Sequence, residues 1–218
     1  MVGGPQGVEQ TICKEFRMAR VAGLDVAGIV AAALAVADRE GLDKLTMRRL
    51  STELEVTPMA AYHHVSGKEE LLDLVIDESI GQLSLADPDG DPLTELAAWF
   101  DALHDMLMDH PALAQAMAGR RLEGPQAVRA ARSITACAQT AGLEVDLAIE
   151  LVVNAFGFTL GSGLYATSRD AVQAQKGDRD LAGLGADGPM LATLASARTD
   201  PSQFRNGLKR LLQSYLKE

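Results

Sequence analysis

The stretch LTMRRLSTELEVTPMAAYHHVSGKEELL, residues 45–72, decides the fold because it carries three helix starts in close succession. Thr46 is an N-cap for MRRLSTELEV, since a threonine oxygen can accept from the orphan backbone N–H groups of a first turn. Thr57 followed by Pro58 is an N-cap with proline at the first helical position, opening PMAAYHHV. Ser66-Gly67-Lys68-Glu69 has the form of a capping box and opens EELLDLVIDESIGQL, whose apolar stripe is Leu71, Leu72, Val75, Ile76 and Ile80. Upstream, Asp25 caps VAGIVAAALAVADRE, in which Ile29, Val30, Ala33, Leu34 and Ala37 recur at helical spacing, and Gly41 stops it. One helix followed by two short helices at a tight turn is the pattern of a helix-turn-helix, whose second helix enters the DNA major groove.

Two adjacent histidines, His63 and His64, sit in the second short helix and make up half of the four in the chain. Neighbours on a helix point about 100° apart, so they cannot grip one metal ion as residues four apart can. The helix opening at Thr57 instead offers free N–H groups and the positive end of its dipole to phosphate. Its exposed residues are small or able to hydrogen-bond, which lets the backbone approach base edges. Thr46 and Lys68 start the flanking helices, where a hydroxyl or a cation can fix the register on the DNA backbone.

With these motifs in place, the run of residues 26–83 resembles the DNA-binding domain of the tetracycline-repressor (TetR) family of one-component bacterial regulators. The resemblance implies that Arg48 reaches a base edge or a nearby phosphate, and that Met59, Ala60 and His63 occupy base-reading positions. It implies phosphate contacts from Thr46, Thr57, Tyr62 and Lys68, a helix start shaped by Pro58, and a helix end closed near the backbone by His64. Glu55 departs from the pattern, standing where the family often has glycine, so the turn is expected to differ in conformation or to carry a left-handed residue at about 1 kcal/mol.

Composition agrees with an all-α protein: the chain is rich in alanine, and aromatics make up only 4% of its 218 residues. The net charge of −10 looks hostile to nucleic acid, yet eight Lys/Arg and eight Asp/Glu fall in residues 1–68, so all the excess acid lies beyond. Within residues 44–68, Lys44, Arg48, Arg49 and Lys68 outnumber Glu53 and Glu55, a local basic footprint. Cys13 and Cys137 lie far apart and in no metal-binding spacing, as expected of reduced thiols in a cytoplasmic protein. The N-terminus has no signal-peptide pattern, and no membrane span is expected. The apolar segment 147–165 carries Glu150 and Asn154 and reads as a buried helix.

Three parts follow: residues 1–24 as an N-terminal arm or short extra helix, with Lys14, Arg17 and Arg20; residues 25–84 as a helix-turn-helix domain of three helices; and residues 85–218 as a larger helical domain. The Asp, Pro and Gly cluster at 84–92 reads as the joint between them. Further helices are expected from LTELAAWFDALHDMLMDH, PALAQAMAG, GPQAVRAARSITACAQTAG, VDLAIELVVNAFGFTLGSGLYATSR, PMLATLASAR and SQFRNGLKRLLQSYLKE, with a polar, glycine-rich loop over 170–188. Gly157, Gly161 and Gly163 weaken a helix unless they allow close packing against a partner.

Beyond residue 92 the chain resembles, more weakly, the effector-binding domain of the tetracycline-repressor branch, most clearly in FGFTLGSGLY (156–165). The resemblance implies a homodimer through helices near 147–165 and 203–216. A cavity between helices is the usual ligand site in such a domain, and Trp99, Leu103, Met106, Met117, Arg120, Arg121, Phe156 and Phe158 are its candidate lining, all equally able to serve as ordinary core. Met117 and Tyr165 stand where tetracycline repressors keep a histidine and a carboxylate, so the expected effector is not a metal-chelated tetracycline. A pliable apolar pocket with an arginine suits an apolar or amphipathic molecule. No GxSxG, P-loop or GxGxxG supports catalysis, and no cofactor or metal is expected.

The reading is therefore a homodimeric, ligand-responsive repressor that binds double-stranded DNA at an inverted repeat and is released by a small-molecule effector. Two alternatives stand beside it: a helical enzyme carrying a DNA-binding module, for which only an Asp101/His104 pair and the arginines speak, and a module whose partner is another protein.

Overall fold

The caps read at Asp25, Thr46, Thr57 and Asp91 each start a helix. The computed structural model describes residues 25–176 and 201–216, together with Asp187, Pro189, Met190 and Thr193. Residues 1–24 and most of PMLATLASAR lie outside the described residues. Asp25 Oδ1 accepts from Gly28 N at 2.7 Å and starts α1 (Val26–Glu40), which Gly41 ends at φ 92°. Thr46 Oγ1 accepts from Arg49 N at 3.1 Å at the head of α2 (Met47–Glu53). Thr57 Oγ1 accepts from Ala60 N at 3.3 Å at the head of α3 (Pro58–Tyr62), with Pro58 at its first position. Helices of seven and five residues are too short to hold by themselves. Their caps, each worth about 1 kcal/mol, work together with the burial of Met47, Leu50, Ala60 and Ala61.

Both short helices end earlier than the sequence pattern predicts, and the turn between them shows why. Val56 N donates to Ser51 O at 3.0 Å and Glu55 N to Thr52 O at 3.2 Å, the paired bonds of a Schellman ending. That ending needs a left-handed residue, and Glu55 supplies it at φ 55°. Glu55→Gly is expected to raise the stability of this unit by about 0.5–1 kcal/mol, once relief of the left-handed backbone is set against the looser unfolded chain. A lower thermal midpoint for the glycine variant would refute this account of the turn.

The helix α4 (Lys68–Gly81) opens with a carboxylate, but it is that of Glu70 and not of Glu69: Glu70 Oε2 accepts from Ser66 N at 2.7 Å and from Ser66 Oγ at 2.5 Å. With the helix starting at Lys68, Glu70 holds the third position, from which a side chain reaches back over the first turn. These bonds hold its carboxyl below the usual range. The predicted stripes are buried: Ile29, Val30, Ala33, Leu34 and Ala37 on α1, and Leu71, Leu72, Val75, Ile76 and Ile80 on α4.

The chain divides into two compact units between Glu78 and Ser79, inside α4 and not at residues 84–92. The reason lies in what 84–92 does: Ala86 is buried, its carbonyl accepts from Ser133 Oγ at 2.8 Å, and Asp91 caps the next helix through Thr94 N at 2.9 Å. The stretch is part of the second unit.

That unit contains α5 (Pro92–Asp109), α6 (Pro111–Ala118), α7 (Pro125–Thr140), α8 (Val145–Lys176) and α9 (Pro201–Tyr215). No strand occurs among the described residues. α8 packs on all four of the others, and α5 packs on α6, α7, α8 and α9. Their shared core is built from Leu96, Phe100, Leu103, Leu107, Leu113, Leu151, Leu208 and Leu212. The loop expected at 170–188 is helical as far as Lys176, because DAVQAQK contains no glycine or proline and the first stop signal is Gly177.

One glycine of α8 and one of α9 permit close approaches between helices. A Cβ on Gly163 would stand 3.1 Å from Leu107 Cβ, and one on Gly207 would stand 2.7 Å from Phe158 Cζ. Gly157 and Gly161 behave otherwise, with nothing within 4 Å of a Cβ at either position, so they meet no neighbour among the described residues. α8 is likewise not the buried helix expected: only 28% of its apolar window, Val145–Ala166, is buried.

Candidate nucleic-acid interface and helical interior

The short helix α3 sorts its five residues by face. Ala60 and Ala61 are turned into the core at 5% and 1% exposure, whereas Met59 and Tyr62 are 70% and 50% exposed. Thr57, Pro58, His63 and His64 are also exposed. The base-reading position expected of Ala60 is thus corrected: its methyl fills the contact between α2 and α3, and its N–H serves the Thr57 cap. His63 and His64 continue the chain as a final turn, their N–H groups donating to Ala60 O at 3.3 Å and Ala61 O at 3.1 Å.

The arginines 48 and 49 look equivalent in sequence, and the structure separates them. Arg49 lies in a ring of four charges: Arg49 Nη2 is 2.7 Å from Glu40 Oε1 and 2.8 Å from Glu53 Oε2, and Arg39 Nη2 is 3.1 Å and 3.0 Å from the same two atoms. The guanidiniums hold the Glu40 and Glu53 carboxyls below their ordinary range, chiefly through Arg49, and the carboxylates push both arginines higher still. Arg48, on the next helical position, is exposed and makes no ion pair among the described residues. It remains available to an outside anion.

Lys68 has a second duty that its sequence position does not reveal. Its Nζ donates to Leu42 O at 2.6 Å, tying the head of α4 to the turn after α1. A carbonyl is neutral, so the ammonium keeps its charge and two further donors for phosphate. Thr46 and Thr57 use their oxygens as cap acceptors and keep their hydroxyl hydrogens to donate.

In the second unit the candidate lining residues do not form one set. Trp99, Leu103 and Met117 are buried, and Met106, Arg120 and Phe156 are half-buried. Arg121 leaves the group: its side chain is 88% exposed and pairs with Glu123 at 3.2 Å on the surface. Phe158 leaves it as well, stacking on Phe204 of α9 with ring centroids 5.6 Å apart. Positions 156 and 158 point about 200° apart on a helix, so both phenylalanines cannot face one cavity. Trp99 Nε1 is buried with no hydrogen-bond partner among the described residues.

The expected Asp101/His104 pair is also rearranged. His104 is 8% exposed and lies flat on Phe204, centroids 3.7 Å apart at 10°, while Asp101 Oδ2 turns to Arg205 Nε at 3.4 Å. Burial pushes the His104 imidazole below its ordinary value and the Asp101 carboxyl above its own. Ser162 Oγ stands 3.2 Å from His104 Nε2, and Asp105 Oδ1 4.0 Å from Nδ1. This resembles a nucleophile and base, but Asp105 is 63% exposed and beyond hydrogen-bond reach. Ser162 sits mid-helix, where the backbone N–H groups are already engaged and none is free to stabilise an oxyanion. The cluster's chemistry is that of helix docking. Arg205, Phe204 and Ser162 carry no motif in sequence, since they meet His104 only through packing.

Comparison with known proteins follows the division into two units. Residues 29–75 match the family described as bacterial regulatory proteins, tetR family, and residues 86–214 match the tetracyclin repressor-like C-terminal domain. The chain belongs to the tetR family. Among curated proteins, it is 34% identical over 115 residues to an HTH-type transcriptional regulator of Saccharopolyspora erythraea, covering 52% of this chain and 49% of that one. It is 30% identical over 182 residues to the HTH-type transcriptional repressor DrrR1 of Streptomyces coeruleorubidus, covering 78% of this chain and 64% of that one. The chain therefore spans about half and just under two thirds of these relatives. Apo ActR of Streptomyces coelicolor superposes with a TM-score of 0.72 at 29% identity, covering 88% of this chain and 95% of that one. The same protein in complex with actinorhodin gives 0.70 at 28% over the same shares of the two chains.

Proposed function

We propose that the chain is a homodimeric, ligand-responsive transcriptional repressor that acts in the cytoplasm on an inverted-repeat DNA operator. The observation that carries this reading is the sorting of α3, a capped short helix that buries its alanines and presents Met59, Tyr62 and His63. Each copy places α3 in one major groove, the two helices one DNA turn or a multiple of it apart, about 34–36 Å. Met59 and His63 meet base edges. Arg48 takes a base edge or phosphate, and Thr46, Thr57, Tyr62 and Lys68 hold the backbone, with His64 closing the helix end beside it.

The effector enters the helical interior around Trp99, Leu103, Met106, Met117 and Phe156, with Arg120 at its edge. ActR in complex with actinorhodin supports a ligand role for a unit of this architecture. The unpartnered indole N–H of Trp99 adds a chemical preference: an apolar or amphipathic molecule with an acceptor oxygen satisfies a donor that is costly to bury unpaired. Trp99 is the only tryptophan, so its fluorescence reports binding. Release of DNA then follows from a shift between dimer states with different spacings of α3.

Selection from a random duplex pool is expected to recover an inverted repeat, and recovery of no preferred sequence at moderate salt would sink the reading. His63→Ala is expected to change base preference. Lys68→Ala weakens all sites alike and lowers the salt slope by about 1, with some loss of stability from the freed Leu42 carbonyl. Equal losses on every sequence for both variants would refute that division of roles.

A further inference from the structure

An exposed ridge winds around α8. Val145, Ile149 and Val153, four residues apart, are 48%, 48% and 62% exposed; the row turns on about 40° per step through Gly157 and Gly161, where an added Cβ meets nothing among the described residues, to Tyr165 at 47%. At the edge of this ridge, on the side where α9 packs through Phe204 and Phe158, lies a chain of polar contacts. Tyr215 Oη donates to Glu150 Oε1 at 2.8 Å, and Asn154 Nδ2 donates to Tyr215 Oη at 2.6 Å. Nothing in the repressor reading uses these three side chains. We propose that Glu150, Asn154 and Tyr215 form a polar lock that selects an identical copy as the dimer partner, an inference that rests on the homodimer proposed above.

The occupant of the face is a second copy for two reasons. The first turns of α8 are acidic, with exposed Glu144, Asp146 and Glu150, while the outward side of α9 offers exposed Lys209 and Arg210. One face carrying both signs is complementary to itself, as a two-fold contact requires. Gly157 and Gly161, four apart and open, also let an identical helix approach backbone to backbone at a single crossing point.

Covering this face takes Glu150 out of water. Its carboxylate keeps the bond from Tyr215 Oη, but a carboxylate accepts several bonds, and the remainder must come from the partner. The outward row of α9 supplies donors in Asn206, Arg210 and Gln213, because Phe204, Leu208 and Leu212 take the buried side. A partner with apolar groups at the matching place leaves the carboxylate buried and under-satisfied. Such a group penalises wrong partners more than it strengthens the right one.

The test mixes the wild type with Glu150→Leu/Asn206→Leu/Arg210→Leu/Gln213→Leu, which removes both the carboxylate and the donors that answer it, one of the two proteins mass-tagged, and reads the species by native mass spectrometry after subunit exchange. The lock predicts self-sorting, with heterodimers roughly fivefold below the binomial share. A binomial mixture overturns it. In a second arm, Tyr215→Phe alone orphans Glu150 and weakens the homodimer about tenfold, and adding Glu150→Leu restores it. Failure of that restoration, in variants whose circular dichroism matches the wild type, also overturns the lock. A wild type that sediments as a monomer at micromolar concentration overturns the homodimer reading and the lock with it, whereas a wild-type dimer that mixes freely overturns the lock alone.

Discussion

Val153→Arg is expected to turn the protein into a monomer and to lower operator affinity at least about 100-fold, near 2.7 kcal/mol. Val153 is the most exposed apolar side chain of the α8 ridge, at 62%. A two-fold contact doubles every change, so two long, strongly hydrated guanidinium side chains would be forced into the space where two isopropyl groups met. The fold of the subunit should survive, since Val153 points away from the core that Leu151 and Ala155 enter. DNA affinity falls because a monomer holds one half-site without the second tied to it. Sedimentation equilibrium and a binding titration on one operator measure both effects. A dimer that persists would move the interface elsewhere.

Phe204→Ala is expected to destabilise the helical unit by about 3–5 kcal/mol, the usual loss for a large buried aromatic. Phe204 is the middle ring of a stack running from Phe158 through Phe204 to His104, and it anchors α9 against both α5 and α8. Phe204→Leu keeps most of the volume and should lose far less, which separates packing from any general intolerance of the site. A denaturant midpoint unchanged by Phe204→Ala would mean that α9 is not docked through this stack.

The same cluster gives the unit a pH dependence whose sign follows from burial. His104 is held below its ordinary value when folded, so in mild acid the unfolded chain takes up a proton that the folded chain refuses. Its contribution to stability is complete above about pH 6.5 and is lost as pH falls below it toward the folded value. Asp101 acts the other way at lower pH, because burial raises its carboxyl and the folded chain then holds the extra proton. His104→Gln should remove the loss between neutrality and mild acid and leave the Asp101 effect in place.

The reading half of the molecule was largely legible, because caps and short-range periodicity are local. Asp25, Thr46 and Thr57 close the helices that the sequence assigns to them, and the departure at Glu55 is a left-handed residue in a Schellman ending. Long-range contacts were illegible where two residues compete for one role. Sequence spacing cannot say that Arg49 joins Glu40 and Glu53 while Arg48 faces water, or that Lys68 spends a donor on Leu42. In the larger unit the sequence located α5 to α9, but not that the ring stacked on His104 is Phe204 of α9, 100 residues along the chain. The apolar segment in α8 looked buried since composition reports apolarity and not what covers it. The glycines signalled close packing, which among the described residues Gly163 finds and Gly157 and Gly161 do not.

The charge ring around Arg39 and Arg49 has a consequence for how the protein finds its site. The reading unit holds five described cations, and two of them are already neutralised by Glu40 and Glu53, leaving Lys44, Arg48 and Lys68. These described residues by themselves release few counterions per copy in the proposed complex, so their share of the sequence-independent hold on DNA is thin. Under the repressor reading proposed above, discrimination falls to uncharged side chains of α3 such as Met59, which salt does not screen. Such a reader stays selective as ionic strength rises, losing grip on every sequence slowly and in step.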